Sequence, residues 1–401
     1  MNNKTAFRCV LIVLFACVSA AYFTGEALAL EETAKPAARG MWVTCFSKTK
    51  ALYSKKAALE LVELCNCTGV NEIYLQVYRA GQAYYDSKIT DRIKYDNILK
   101  TANADTIEYL IEKAHAKGIK VFAWINVLSL ADNRKAHIIK KFGESVLTKD
   151  QYLRASSRSD KPDKTDAYYL RDEQYFLEPG DPRVASYILS LVNEITARYP
   201  SMDGIHLDYL RYPYAIPMIP DSRFNKFGVC YGYSEENIKR FKEKTGLDPL
   251  HIGNERDDHL SWDNWKRGQI TALVESISKE IKKKSPKMLL SCAVVPSLER
   301  AYMVVFQDWP LWLEKGIVDY VVIMNYTKDN RWIKETAKAD LSQRGKGRVF
   351  IGMGLFLLKN EPDLFRDQYK SIKELKPDGI VFFSCDDILD KKELVAEALA
   401  K

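Results

Sequence analysis

Histidine is scarce in this chain, and so are the residue spacings that are typical of metal sites. Its 401 residues include only five histidines, and a transition metal is normally bound by several histidine, cysteine or carboxylate side chains at short spacings. His206 lies two residues before Asp208, but no second histidine falls where a predicted strand ends. Cys65 and Cys67 are two apart, and no histidine follows them at ligand spacing. We therefore expect no metal site, and nothing implies a cofactor.

Several other signals are absent. No Gly-x-Gly-x-x-Gly segment follows a strand pattern, which argues against a dinucleotide-binding fold. Beyond the N-terminal segment, no run approaches the roughly 18–20 apolar residues of a membrane span. The net charge of +7 is spread along the chain, and the densest basic run, Lys282-Lys283-Lys284, falls at a predicted helix end, where cations suit the helix dipole. We expect no nucleic-acid partner and no integral membrane span in the mature chain.

The N-terminal segment is typical of a targeting sequence. Lys4 and Arg8 precede an apolar run over residues 10–21, and Ala27-Leu28-Ala29 resembles a cleavage site. We predict a signal peptide over residues 1–29 and an exported protein, periplasmic or secreted. A lipid anchor at Cys17 is the alternative, although Phe15 suits a lipoprotein signal poorly. Six cysteines follow the predicted cleavage site, and export permits a disulfide between Cys45 and Cys385, although free thiols are expected for most of the six.

After the signal, strand and helix patterns alternate eight times. The predicted strands cover residues 40–46, 72–78, 120–127, 203–209, 288–294, 319–326, 349–355 and 379–384. The predicted helices cover residues 55–68, 104–117, 183–199, 264–284, 307–315, 334–344, 363–375 and 391–400. This order predicts one (β/α)₈ TIM barrel over residues 30–401. Long insertions follow strands three and four, and the second carries a further predicted helix at residues 235–245.

The fourth predicted strand carries the strongest functional signal. Residues 203–213 read Asp-Gly-Ile-His-Leu-Asp-Tyr-Leu-Arg-Tyr-Pro, and strand alternation places His206 and Asp208 on one face. Buried parallel strands are normally continuous runs of Val, Ile and Leu, so two titratable groups facing inward require an explanation. One explanation is structural, in which Asp208 pairs with Arg211 and orders the strand end. The functional one makes Asp208 catalytic, with Arg211 and Tyr212 keeping it ionised.

The strand ends of a barrel converge on one face, whatever their separation in sequence. Indole, amide and guanidinium groups there would suit a sugar-binding cleft, because rings stack on sugars and polar groups bind hydroxyls. The predicted substrate-binding residues are Trp42, Gln76, Arg79, Trp124, Asn126, His206, Arg211, Tyr212, Asn325 and Tyr326.

Glycoside hydrolysis normally needs two carboxyl groups, one of them a proton donor. Asp208 is the predicted nucleophile or base. Asp329, after strand six, and Glu299, after strand five, are candidates for the acid, and Asp329 is preferred because it lies closer to its strand end. For each of the two, a solvated loop carboxylate is the alternative.

The ordered set of motifs resembles the family 10 glycosyl-hydrolase-like proteins, exported or lipid-anchored bacterial barrels. The resemblance is carried by residues 39–43 (Arg-Gly-Met-Trp-Val), 74–79 (Tyr-Leu-Gln-Val-Tyr-Arg), 121–126 (Val-Phe-Ala-Trp-Ile-Asn), 178–183 (Glu-Pro-Gly-Asp-Pro-Arg), 203–213 and 324–327 (Met-Asn-Tyr-Thr). It implies a (β/α)₈ fold and cleavage of glycans such as cell-wall polysaccharide. Members often have two consecutive acids where this chain has Asp208-Tyr209. Leu210 occupies the position of the catalytic Glu in the similar chitinase pattern, so that mechanism does not transfer.

We therefore expect an exported glycoside hydrolase that acts on a polysaccharide, with peptidoglycan glycan strands as one candidate substrate. A glycan-binding barrel without catalysis is the main alternative. A metal-dependent hydrolase such as a glycan deacetylase is a third hypothesis.

Overall fold

The computed structural model describes residues 38–156, 174–215, 229–253 and 255–400. The predicted signal peptide and the alternative anchor at Cys17 lie outside these residues. No helix in the described ranges combines the length and the apolar character that crossing a membrane requires.

Eight parallel strands form a closed barrel. In chain order they are β1 (Ala38–Val43), β2 (Glu72–Arg79), β3 (Lys120–Asn126), β4 (Gly204–Asp208), β5 (Leu289–Val294), β6 (Tyr320–Met324), β7 (Arg348–Gly354) and β8 (Gly379–Phe383). Each strand pairs with its neighbour in sequence, and β1 pairs with both β2 and β8, which closes the sheet. The predicted (β/α)₈ TIM barrel is confirmed.

A helix follows each barrel strand. These helices are α1 (Lys55–Thr68), α2 (Thr106–His115), α3 (Pro182–Arg198), α4 (Arg256–Lys284), α5 (Trp309–Glu314), α6 (Asn330–Leu341), α7 (Pro362–Glu374) and α8 (Lys392–Ala400). Their N-termini follow the usual capping rules, since Ser54 caps α1 and Asp181 caps α3 ahead of Pro182. Two helices begin earlier than predicted, α4 by eight residues and α6 by four, and both start with polar residues, Arg256-Asp257-Asp258 and Asn330-Arg331.

Aromatic rings fill the interior of the barrel below its C-terminal face. Tyr74 stacks on Phe122 with ring centroids 5.0 Å apart, and Tyr320 stacks on Phe350 at 4.4 Å. The ring hydroxyls of Tyr74 and Tyr320 lie 3.1 Å apart, and Tyr74 also donates to the buried carboxylate of Glu72. Because this layer is closely packed, it forms a rigid base beneath the C-terminal face of the barrel.

The insertions after β3 and β4 contact each other at the C-terminal side of the barrel. The first contains a small hairpin of Ser129–Ala131 with Tyr175–Phe176, and the second contains the predicted helix, Glu235–Thr245. The backbone N–H of Gly232 donates to the carbonyl of Lys149, and that of Cys230 donates to the side chain of Gln151. These bonds join two segments that are far apart in sequence.

Candidate functional site

Asp208 is the last residue of β4 and faces the barrel axis. It pairs in register with Asn126 of β3, and His206, one level below, pairs with Trp124. The strand approaches its neighbours closely at Gly204, where a Cβ atom would lie 2.4 Å from the carbonyl oxygen of Leu289. Only glycine fits there, so close strand packing helps to fix the position from which Asp208 projects.

Both carboxylate oxygens of Asp208 accept hydrogen bonds. The indole Nε1 of Trp124 donates to Oδ2 at 3.1 Å, and the backbone N–H of Tyr209 donates to Oδ1 at 2.7 Å. Burial nevertheless raises the pKa of Asp208 above its usual value, and the opposing effects of these bonds and of the Arg211 charge are smaller. The Arg211 charge acts in the expected direction, whereas the hydroxyl of Tyr212 donates to Glu178. Desolvation is the stronger influence because Asp208 is only 8% exposed.

Asp208 opens into a pocket of about 260 Å³ at the mouth of the barrel. Of the predicted substrate-binding residues, seven line it: Trp42, Gln76, Arg79, Trp124, Asn126, Arg211 and Tyr326. Asp208 is the only carboxylate in that lining among the residues that the structure describes. The pocket thus brings together residues from seven of the eight strands and from the segments that follow β1, β4 and β6.

The polar wall of the pocket is cross-linked by hydrogen bonds. Gln76 donates from Nε2 to Oδ1 of Asn126 at 3.1 Å and accepts from the backbone N–H of Cys45 at 3.3 Å. Aromatic side chains form another wall, with Trp42 6.0 Å and Tyr326 5.8 Å from Phe383 between ring centroids. A pocket with a polar wall and an aromatic wall suits a sugar ring, which has polar edges and apolar faces.

His206 lies beneath this pocket and is fully buried. Its Nε2 is 3.0 Å from Nε1 of Trp42, and its Nδ1 is 2.8 Å from Oγ of Ser291. An indole nitrogen can only donate, so Nε2 must accept and Nδ1 must carry the proton. Burial lowers the pKa of His206 to about 3, so the ring is neutral and holds Trp42 in place.

Two other predicted binding residues lie outside the pocket lining. The hydroxyl of Tyr212 donates to Oε1 of Glu178 at 2.8 Å, beneath the insertions, and burial raises the pKa of Glu178. Asn325 is buried and donates to the carbonyl of Ile333 in α6. Both therefore have structural partners, and their predicted contact with substrate has no support from this geometry.

The two candidates for a second carboxylate also lie away from the pocket lining. Asp329 caps α6, where its Oδ1 accepts from the backbone N–H groups of Arg331 and Trp332. Glu299 is exposed after β5, and hydrogen bonds from its own backbone N–H and from the hydroxyl of Ser297 lower its pKa. A lowered pKa is the opposite of what a proton donor at neutral pH requires. The assignment of either residue as the acid stays a prediction.

Sequence reasoning missed several side chains that line the pocket: Phe46, Tyr209, Ala293, Met324 and Phe383. Met324 and Phe383 end β6 and β8, so the rule that strand ends converge could have identified them. Tyr209 is different, because simple alternation directs it outward. Its backbone adopts φ 52°, a left-handed conformation that departs from the extended strand at this point.

No group of three or more potential metal ligands occurs within the described ranges. The described cysteines Cys45, Cys65, Cys67, Cys230, Cys292 and Cys385 have free thiols. Cys45 and Cys385, between which export would permit a disulfide, are both buried and not bonded to each other.

Comparison with known proteins places this architecture in a family. The chain is 22% identical to "Glycosyl hydrolase DigH" of Escherichia coli strain K12 over 365 residues, which cover 81% of this chain and 75% of that protein. It is 21% identical over 316 residues to "Glycosyl hydrolase YngK" of Bacillus subtilis, covering 72% of this chain and 54% of the relative.

Solved structures support the same fold. The glycoside hydrolase domain of PgaB (BpsB) from Bordetella bronchiseptica superposes with a TM-score of 0.64 at 15% identity, over 91% of this chain and 98% of the domain. The family model described as glycosyl hydrolase-like 10 matches residues 37–351. The match covers most of the chain and confirms the resemblance inferred from the motifs. The chain belongs to the glycosyl hydrolase-like 10 family.

Proposed function

We propose that this protein is a glycoside hydrolase that cleaves a polysaccharide at the C-terminal face of its barrel, with Asp208 as the central catalytic group. The observation that carries the proposal is one buried carboxyl group with a raised pKa in a pocket that has a polar wall and an aromatic wall. Perturbed titratable groups in clefts are characteristic of catalytic sites. The names of the relatives support glycan hydrolysis as the reaction class.

Asp208 is best suited to donate a proton to the departing glycosidic oxygen. A carboxyl group must retain its proton near neutral pH to act in this way, and burial shifts the pKa of Asp208 in that direction. Trp124 holds one carboxyl oxygen and the backbone of Tyr209 holds the other, so the group is fixed in orientation. This role differs from the nucleophile or base predicted from sequence. The second catalytic group remains assigned to Asp329 or Glu299 only as a prediction.

The proposed substrate is a cell-wall glycan such as the glycan strands of peptidoglycan. Trp42 and Tyr326 would stack on sugar faces, and Gln76 and Asn126 would bind hydroxyl or acetamido groups. The guanidinium groups of Arg79 and Arg211 also line the pocket and suit a sugar that carries a carboxylate. We also propose that residues 1–29 direct export, which would bring the enzyme to such a substrate. The N-terminal sequence of the protein recovered from fractionated cells checks this.

The test is to incubate purified peptidoglycan glycan, with and without its stem peptides, with wild type and with Asp208→Asn. Mass spectrometry then identifies soluble products. Fragments from wild type alone support the hydrolase, and their ends define the bond that is cleaved. If neither protein releases fragments but both are retained on the glycan, the barrel binds glycan without cleaving it. If neither protein is retained, the proposed substrate is wrong.

A further inference from the structure

A lysine of α4 and a cysteine of the insertion after β4 lie at short range. Nζ of Lys266, in α4, lies 2.8 Å from Sγ of Cys230. An N–H···O hydrogen bond spans about 2.7–3.2 Å, and a sulfur acceptor is larger than oxygen, so an ordinary N–H···S contact is longer. The two atoms are therefore at the short end of the range for a hydrogen bond to sulfur.

The lysine is held in this position by its surroundings. Its side chain is fully buried, and its Nζ lies 4.0 Å from the ring centroid of Phe306 and 3.0 Å from Oδ1 of Asp263. Its aliphatic stem passes Gly232, where a Cβ atom would approach Lys266 Cδ to 2.8 Å. Lysine is almost never fully buried unless its charge is compensated. Packing on several sides leaves Nζ directed at Cys230.

The cysteine is more accessible than the lysine. Cys230 is only partly buried, whereas Cys45, Cys65, Cys292 and Cys385 are buried. Burial raises the pKa of the Cys230 thiol and the Lys266 charge opposes that shift. Burial also acts to lower the pKa of Lys266, but Cys230 and Asp263 together raise it, so the reduced pair contains an ammonium. Cys230 is thus one of only two described cysteines that are not buried, and its sulfur is in contact with the Lys266 nitrogen.

We propose that Cys230 and Lys266 form a covalent cross-link through one bridging oxygen atom when the protein is oxidised by dioxygen. A single oxygen bonded to both atoms would hold sulfur and nitrogen at about the separation already present in the structure. The bridge would fasten α4 to the segment that follows the pocket residues Tyr209 and Arg211. It is independent of the proposed hydrolase activity.

The reaction balances with dioxygen as the oxidant. The thiol S–H, two N–H bonds of the ammonium and the O–O bond break. One S–O bond and one N–O bond form. The second oxygen atom leaves as water with two of the hydrogens, and the remaining one leaves as a proton. Sulfur and nitrogen each lose two electrons, and the two oxygen atoms of dioxygen accept all four.

Peptide mapping of the full-length wild-type protein tests this directly, without any variant that must fold. One sample is equilibrated with air, and the other is kept anaerobic with dithiothreitol. Both are denatured in an alkylating reagent before digestion. We expect the aerobic sample to contain a joined pair of peptides, carrying Cys230 and Lys266, that is heavier than their sum by one oxygen less two hydrogens. We also expect loss of Cys230 alkylation, and dithiothreitol should restore it.

Matched variants test whether the cross-link raises the thermal stability of the protein. Aerobic treatment should raise the Tm of wild type and of Cys67→Ser, which removes the exposed thiol of α1, but not that of Cys230→Ser. Full alkylation of Cys230 in the aerobic sample would overturn the proposal. So would a sulfinic acid at Cys230 or a disulfide to another cysteine in place of the joined pair.

Discussion

The indole Nε1 of Trp124 donates a 3.1 Å hydrogen bond to Oδ2 of Asp208, from one strand of the barrel to the next. The bond favours the ionised carboxylate, whereas burial favours the protonated form and is the larger effect. The backbone N–H of Tyr209 and the Arg211 charge also oppose burial, but the Trp124 bond is the contribution that one conservative substitution removes.

Trp124→Phe should move the pH dependence of activity in a direction that reveals the role of Asp208. The substitution keeps an aromatic ring but removes the N–H donor, which favours the ionised form, so the pKa of Asp208 should rise further. A proton donor is active below its pKa, and the alkaline limb of kcat/KM should therefore shift to higher pH. If Asp208 acts as base or nucleophile, the acidic limb should shift upward instead. Measured pH–rate profiles of both proteins distinguish these outcomes.

Two substitutions at Asp329 separate capping from catalysis. Asp329→Ala should lower the free energy of unfolding by about 1 kcal/mol, because α6 loses its N-cap. Asp329→Asn keeps a cap oxygen but no carboxyl group, so its stability should stay close to that of wild type. If Asp329 serves only as the cap, activity of the folded protein should change less than about threefold in both. Denaturant titrations and rate measurements check this.

The opposite pattern would assign Asp329 a catalytic role. Loss of activity in Asp329→Asn by about a hundredfold or more, the lower bound for a missing general acid or base, would assign it as the second carboxyl group beside Asp208. Because the Asn variant keeps the helix cap, a loss of stability cannot explain such a loss of activity.

The buried His206 should make the barrel less stable in acid. Its pKa is lowered to about 3 in the folded protein, against an ordinary value of 6.5. The unfolded chain therefore binds the proton more readily, and stability present above pH 6.5 is lost as the pH falls toward 3. Between pH 7 and pH 5, protonation of this one residue in the unfolded chain should lower the free energy of unfolding by about 2 kcal/mol.

His206→Gln removes this titration while keeping an acceptor for Trp42 and a donor for Ser291. Its free energy of unfolding at pH 7 should be lower than that of wild type, but it should fall less between pH 7 and pH 5. Denaturant titrations at the two pH values provide the comparison. Equal losses in the two proteins would show that His206 does not stay neutral.

The barrel was predictable because its signals are local and repeated. Short apolar runs alternate with amphipathic helices, and Asp181-Pro182 marks the start of α3 directly. Helix starts that begin with polar residues were less predictable, since a pair such as Asn330-Arg331 carries no apolar periodicity. The predicted start of α6 at residue 334 was four residues late. That error left Asp329 outside the helix as a loop acid, when it is the residue that caps it.

The site was predictable where it depends on the strand ends and not where it depends on the loops. Alternation along β3 and β4 placed Trp124, Asn126 and Asp208 together. It gave no indication of Tyr209, whose left-handed backbone lies beyond the last strand residue. The direction of the pKa shift of Asp208 could not be predicted from the sequence either, because the balance between burial and the Arg211 charge depends on the three-dimensional surroundings.

The most direct test of the central claim compares wild type with Asp208→Asn on one defined glycan, measuring the hydrolysis rate and retention on the glycan together. We predict that the rate falls by about 10²–10⁴-fold, the contribution of a positioned general acid. Retention should stay within a few-fold of wild type, since Asn has nearly the same shape and the walls of the pocket are unchanged. An Asp208→Asn variant that hydrolyses the glycan at the wild-type rate would contradict the account.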